Sequence, residues 1–227
     1  NQTVKEMREA SIAASIGEMR LRKKYDTFID ENKKYLTNAA KETVKYRGFD
    51  IPKIHLIGLY MTMKREHARA GLAIEGFDYY IKNKWWDSES KVTVPGYLPD
   101  ADNQDMINAA TEEQIKIIEK SFTDVDKQYI KILETLFNED LRNLKVERDM
   151  ERQGYTNATV DYYYPIIRIG AAESIDTTKI SDQNRATNAS FNKNTVKGAK
   201  QKLVIISADA MVNKHITDMC KYYYMSQ

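Results

Sequence analysis

Asp161-Tyr-Tyr-Tyr-Pro-Ile-Ile-Arg168 is where a long helical pattern stops. The residue before a proline is pushed out of the α region, so Tyr164 and the segment around it are extended rather than helical. Residues 1–160 read as a helical bundle, 161–202 as this extended segment followed by a polar loop, and 203–227 as a C-terminal helix that packs back. The expected fold is therefore mainly α. It is a multi-helix bundle with two long helices, an extended Tyr-Pro segment and a polar arm before a C-terminal helix, all in a single domain 1–227. Tyr162, Tyr163 and Tyr164 are expected to serve as aromatic anchors, with at least one buried between helices.

Upstream, Thr3-Val-Lys-Glu6 has the form of a capping box, in which hydroxyl and carboxylate satisfy the free amides that open a helix. Leu21, Tyr25, Phe28, Ile29, Leu36, Ala39, Ala40 and Val44 then follow helical spacing, which predicts one helix to about Tyr46 with Gly48 as its stop. Pro52 suits the start of a second helix running to Lys64, with Ile54, Ile57, Gly58 and Met61 on one face. Residues 65–73 read as its continuation or a third helix, and Phe77–Trp86 as a short helix. Pro95-Gly96 and Pro99-Asp100 are turn signals within a loop over 87–110, which carries a short extended piece at 92–94.

Thr111-Glu-Glu-Gln114 is a second capping signature. After it, Ile115, Ile118, Phe122, Val125, Tyr129, Ile132 and Leu136 alternate steps of three and four, a heptad-like seam. Leu133, Phe137, Leu141 and Leu144 widen the stripe, as burial within a bundle requires, and Gly154 is placed to end the helix. Residues 171–202 are rich in Ser, Thr, Asn and Lys and read as a loop. Leu203-Val-Ile-Ile206 reads as a short strand or the start of a helix. The last helix starts within Ser207–Ala210 and carries Met211, Val212, His215, Ile216, Met219 and Tyr223 at helical spacing.

The 227 residues are 30% charged and 42% apolar, with four prolines and nine glycines, a composition that favours long uninterrupted elements. Cys220 is the single cysteine, which excludes an internal disulfide and favours a cytosolic setting. No apolar run is long enough to span a bilayer. The chain begins Asn1-Gln2 without a signal-peptide pattern, which predicts a segment of a longer chain. The net charge of +2 divides into +6 over residues 1–84, −8 over 85–161 and +4 over 162–227. An acidic middle between basic ends stabilises internal docking or presents separate faces to partners.

No catalytic or metal motif is strong. His55, His67 and His215 form no ligand-spaced set, and Cys220 reads as a small buried residue rather than a nucleophile. The carboxylate pairs Glu112-Glu113, Asp124 with Asp126, and Glu139-Asp140 fall on separate helical faces, which does not suit general acid–base work. Two basic groups stand out: Arg20, Arg22, Lys23 and Lys24 in the first helix, and Lys64, Arg65 and Arg69 with His67. Both read as solvated helix faces or as contacts to a nucleic-acid backbone. Aromatic clusters at Tyr79-Tyr80, Trp85-Trp86, Tyr162–Tyr164 and Tyr222–Tyr224, beside Lys82, Lys84, Arg168 and Lys221, read as core or as base-stacking surfaces.

Two segments together resemble one family. Asp161–Arg168 is similar to an "NYYPI-R" stretch, and Ala208–Tyr222 to a "D-x-hydrophobic-x-x-H-I/T-x-D-M-x-x-Y" helix, in helical regions of the large polyvalent proteins of phages and conjugative elements. Asn184–Phe191, a polar linker with Arg185, and Leu59-Tyr-Met-Thr-Met63 resemble further parts of those regions. In that family such modules sit between helicase, methyltransferase, protease and ADP-ribosyltransferase domains, in proteins thought to enter the host with incoming DNA and counter its defences. The resemblance implies an accessory module without catalytic residues, so no enzyme activity, cofactor or metal is expected.

The leading expectation is a non-enzymatic structural or interaction module. It links or docks neighbouring domains of a larger chain, or a partner protein, in the host cytoplasm or in association with the virion. The alternative is a nucleic-acid-binding helical module that uses the basic N-terminal face and exposed aromatics. A third reading assembles an enzyme site around His67, Arg69 and Tyr163. No membrane partner is expected, and the seam at Ile115–Leu136 leaves the oligomeric state open.

Overall fold

The computed structural model describes residues 2–82, 89–156, 162–168 and 202–225. The fold is mainly helical, with two long helices and small sheets. Its elements are α1 (Gln2–Glu31), α2 (Tyr35–Lys41), the strands β1 (Thr43–Tyr46) and β2 (Phe49–Pro52), α3 (Lys53–Lys64) and α4 (Glu66–Ala70) with a π-helical turn at Gly71–Glu75. Then come β3 (Phe77–Lys82), β4 (Glu89–Val94), α5 (Gln104–Glu119) and α6 (Asp124–Thr135), which passes through a second π turn (Leu136–Asp140) into α7 (Leu141–Gln153). Strands β5 (Ile167–Arg168) and β6 (Leu203–Ile205) and helix α8 (Ala208–Met225) follow. Trp85, Trp86, Lys84, Asp161 and the polar arm with Asn184–Phe191 lie outside the described residues. The chain forms two compact units: residues 1–36, 124–163 and 212–227, and residues 37–123 and 164–211.

In the first unit, Tyr25 and Phe28 of α1 meet Tyr129 of α6. Phe28 and Tyr129 stack with centroids 5.6 Å apart, and Tyr35 closes the cluster edge-on against Phe28. Buried hydroxyls need partners. Tyr35 Oη donates to the buried carboxylate of Asp126 at 2.8 Å, while the Tyr25 and Tyr129 hydroxyls face each other at 3.3 Å. Farther along α1, Gly17 leaves the space that the Tyr224 ring of α8 fills. The α6–α7 helix ends at Gly154, whose φ of 75° closes a left-handed cap with its amide on the Met150 carbonyl.

The second unit is built around α3, in which every residue from Ile54 to Met63 except His55 is buried. A helix apolar on all sides must be covered on all sides. The four-stranded sheet has order β4-β3-β6-β5, with β3 and β6 parallel and the outer pairs antiparallel. α3 touches β6 and α5. Gly58 permits the contact near the sheet: a Cβ there would lie 2.6 Å from the Ile206 carbonyl oxygen.

The structure departs from the sequence-based expectations at five places. The first helix stops at Glu31; Lys34 has φ 75° and Asn32 Nδ2 donates to the Phe28 carbonyl. Residues 43–46 are a strand, because Arg47 and Gly48, both at positive φ, make the two-residue turn of a hairpin between segments rich in β-branched and aromatic residues. Phe77–Lys82 is a strand rather than a helix: Phe77, Asp78 and Tyr79 are all buried between paired neighbours, so neither period shows in the sequence. The cap of α5 is Asn103, whose side chain accepts from the Asp105 amide. Thr111 sits inside that helix, with Oγ1 on the Ile107 carbonyl. The seam at 115–136 is interrupted after Glu119, and Ser121 Oγ ends α5 by donating to the Ile118 carbonyl.

Gly76 and Gly154 share a positive φ but not a setting. At Gly76 (φ 76°, ψ −154°) a Cβ would collide with the Val94 carbonyl oxygen and the Gly96 amide, whereas at Gly154 it would meet nothing within 4 Å. Gly154→Ala is expected to cost about 1 kcal/mol, the left-handed penalty alone. Gly76→Ala should cost about 3 kcal/mol or more, because strand pairing must also shift. Urea denaturation of the two variants checks the ordering.

Candidate functional site

Tyr162 and Tyr163 belong to the first unit and Tyr164 to the second, and each has its partner within its own unit. In the first unit Tyr162 Oη donates to Glu134 at 3.4 Å, and the Tyr163 amide donates to Asn138 Oδ1. Tyr163 Oη lies 3.1 Å from Nε2 of the buried His215, whose ring also contacts Phe137. Phe137 and Asn138 both belong to the π turn of the α6–α7 helix, and π turns recur at functional positions. In the second unit Tyr164 is buried, and burial holds its hydroxyl well above the ordinary tyrosine range. Its backbone carbonyl accepts from Arg65 Nη1 at 2.7 Å.

The two basic groups are placed differently. Arg65 is buried on the Tyr164 carbonyl. Arg69 donates from Nε to the Met63 carbonyl and pairs through Nη2 with Glu112 at 2.6 Å. Lys64 sits with its ammonium 5.3 Å from the Tyr60 ring centre. These cations are engaged as fasteners within the second unit. In α1, Arg22 bonds Asn213 and lies between Glu18 and Asp26, and Lys24 is 3.5 Å from Asp140. Arg20 and Lys23 are exposed.

Two reactive side chains are muted by their surroundings. Burial, with the Glu18 carboxylate adding to it, pushes the Cys220 thiol up to about 11. At neutral pH it is therefore a thiol and not a nucleophilic thiolate. Burial pulls His55 down to about 4, partly offset by a hydrogen bond with the Tyr80 backbone. Its Nδ1 is buried without a hydrogen-bond partner among the described residues.

The Tyr163 hydroxyl, half-buried, and the buried His215 ring share one hydrogen bond. The seam beside Tyr164, lined by Gly58, Thr62, Pro165, Leu203 and Ile205, leaves no space for a water molecule. No three His, Cys, Asp or Glu side chains among the described residues are grouped to hold a metal. Among those residues no helix is long and apolar enough to cross a membrane.

Pro165 pointed to the tyrosine segment, and the spacing of apolar residues placed His215 on a packed helix face. It did not reveal the π turn that carries Phe137 and Asn138 to them, because one extra residue in a helix leaves no mark in composition or capping. It also missed the outward apolar positions of α1, namely Ile12, Ile16 and Met19, which are between 40% and 64% exposed. Their signal was present as apolar residues off the stripe that holds Tyr25 and Phe28. No family model matches the chain, and neither a curated protein nor a solved structure matches it.

His55 sets a pH dependence of stability. Its folded value lies below the ordinary 6.5, so the unfolded chain takes up the proton first. The stabilisation is complete above pH 6.5 and is lost as the pH falls toward 4, by at most about 3 kcal/mol. His55→Gln should flatten this part of a urea-midpoint profile relative to the unchanged chain. Cys220 is expected to resist a thiol reagent at pH 8 in the folded chain and to react promptly in denaturant.

Proposed function

We propose that this chain is a non-enzymatic structural and interaction module of a large phage- or mobile-element-encoded protein. It docks a neighbouring domain or a partner protein through the outward face of α1. The observation that carries this reading is the row Ile12, Ile16 and Met19, exposed on a 30-residue helix whose opposite side holds the buried Ala14, Tyr25 and Phe28. Large apolar side chains held in water on a well-formed helix gain free energy when another surface covers them. The resemblance of Asp161–Arg168 and Ala208–Tyr222 to helical parts of polyvalent proteins supports the same reading, as does the use of Arg65 and Arg69 as internal fasteners.

The test is the reading frame on either side of this chain, followed by binding of the adjoining domain. Neighbouring helicase or methyltransferase motifs are expected, and Ile16→Asp should weaken docking by about tenfold or more without lowering the melting temperature. A stand-alone frame, or docking indifferent to Ile16→Asp, overturns the reading.

Arg20 and Lys23 favour a second reading, binding to a nucleic-acid backbone, since both are exposed and neither makes an ion pair among the described residues. On that reading a gel shift at low salt is lost in Arg20→Ala/Lys23→Ala, and the salt slope falls by about one per lost phosphate contact. An absence of any shift at low salt removes it.

A further inference from the structure

We infer that the outward face of α1 pairs with the same face of a second copy of this chain, antiparallel and about a two-fold axis. The inference rests on the reading of the chain as an interaction module and names the partner. At about 100° per residue, Lys5, Ile12, Ile16, Met19, Lys23 and Asp30 fall within an arc of roughly 60° on α1. Ala14, Gly17, Tyr25 and Phe28, which are buried, lie on the opposite side. Arg8 and Asp26 share one flank of the outward arc.

The order of chemistry along this face is what selects a second copy. Reading from the N-terminal end it runs basic (Lys5, Arg8), apolar (Ile12, Ile16, Met19), basic (Lys23), then acidic (Asp26, Asp30), with Glu9 on the other flank. An isologous contact requires a patch that is complementary to itself. A two-fold axis passing between residues 17 and 18 sets Ile16 of one copy opposite Met19 of the other. The same axis sets Lys5 opposite Asp30, Arg8 beside Asp26 on the shared flank, and Glu9 beside Thr27 on the other. Ile12 falls opposite Lys23, whose aliphatic stem can cover it while the ammonium stays in water. No like charges meet in this register. The competing intramolecular pairs are weak ones: Lys5 with Glu9 at 3.8 Å, largely exposed, and Asp26 with Arg22 at 3.6 Å. Arg8 and Asp30 make no ion pair among the described residues. The helix is about 45 Å long, so the apolar centre and both charged ends can be in contact at once.

Sedimentation equilibrium of the full chain and of charge-exchanged variants tests this. The unchanged chain should approach twice the monomer mass. Ile16→Asp should weaken association by about tenfold or more. Lys5→Glu/Arg8→Glu and Asp26→Lys/Asp30→Lys should each weaken it comparably, and the four substitutions combined should restore it, because the face is then self-complementary with the signs exchanged. Circular dichroism identical to the unchanged chain shows that each variant is folded. A chain that stays monomeric up to about 1 mM, or a combined variant no tighter than either half, overturns the self-pairing. If such a monomer still loses docking of its neighbouring domain on Ile16→Asp, only the choice of partner fails. If Ile16→Asp changes neither property, the interaction reading fails with it.

Discussion

The second unit depends on the absence of a side chain at Gly58. Helix α3 is buried on all sides, so it must come close to whatever covers it, and at Gly58 it lies against the backbone of the link between β6 and α8. Any Cβ there would push on the Ile206 carbonyl, which is backbone and cannot swing away. Thr62, one turn on, returns its hydroxyl to the Gly58 carbonyl, so this turn of helix hides its polar groups internally. With the link fixed, β6 is fixed, and β6 is the strand that β3 joins in parallel and β5 joins antiparallel. The extended Tyr164–Arg168 stretch is thus held from both ends. One end pairs with β6, and the other gives its Tyr164 carbonyl to Arg65 at the foot of α3.

The cations of the second unit work mainly as fasteners between segments distant in sequence. Lys53, nearly inaccessible, reaches Glu42 at 2.6 Å and holds the start of α3 to the residue before the hairpin. Arg47, at the hairpin tip, donates to the Pro95 and Gly96 carbonyls and lies over the Tyr97 ring. Asp78, buried in β3, gathers Thr93, Lys91 and Lys202 around one carboxylate. At Lys53 and Asp78, both buried, the arrangement compensates a desolvated charge. Tyrosines do the corresponding work for neutral groups, burying rings while their hydroxyls reach Gln114, Glu119 or Thr111.

What the sequence disclosed follows from which forces are local. Pro52, Gly154 and the Ser207–Ala210 start act through backbone geometry and capping, and all three mark real boundaries. The apolar stripe of Tyr25 and Phe28 was visible because one face of α1 is buried and the other wet. Phe77–Lys82 hid its strand because both faces are covered, which erases the alternation. Thr111 imitated a cap because the spacing of its hydroxyl from the Gln114 carboxamide is the same inside a helix as at its start; only the Tyr97 hydroxyl and the Ile107 carbonyl explain its presence. Arg65 and Arg69 looked like a surface patch because nothing in their neighbourhood of sequence announces Tyr164 or Glu112. The Tyr163–His215 contact joins residues 52 apart, a separation that spacing alone does not bridge.

The π turn at Leu136–Asp140 makes the second long helix a spliced object with two phases. An α-helix advances about 100° per residue, so one extra residue in the turn rotates all of α7 by that angle relative to an unbroken α6. Before the splice the buried positions are Asp126, Tyr129, Ile130 and Leu133; after it they are Leu141 and Asp149, with Asp149 receiving the Tyr222 hydroxyl and the Lys145 ammonium. Removing a single residue from the turn would leave every side chain of α7 intact and still carry both buried groups away from their partners. The length of this helix, counted in residues, is therefore as much a determinant of the first unit as the identity of any side chain on it.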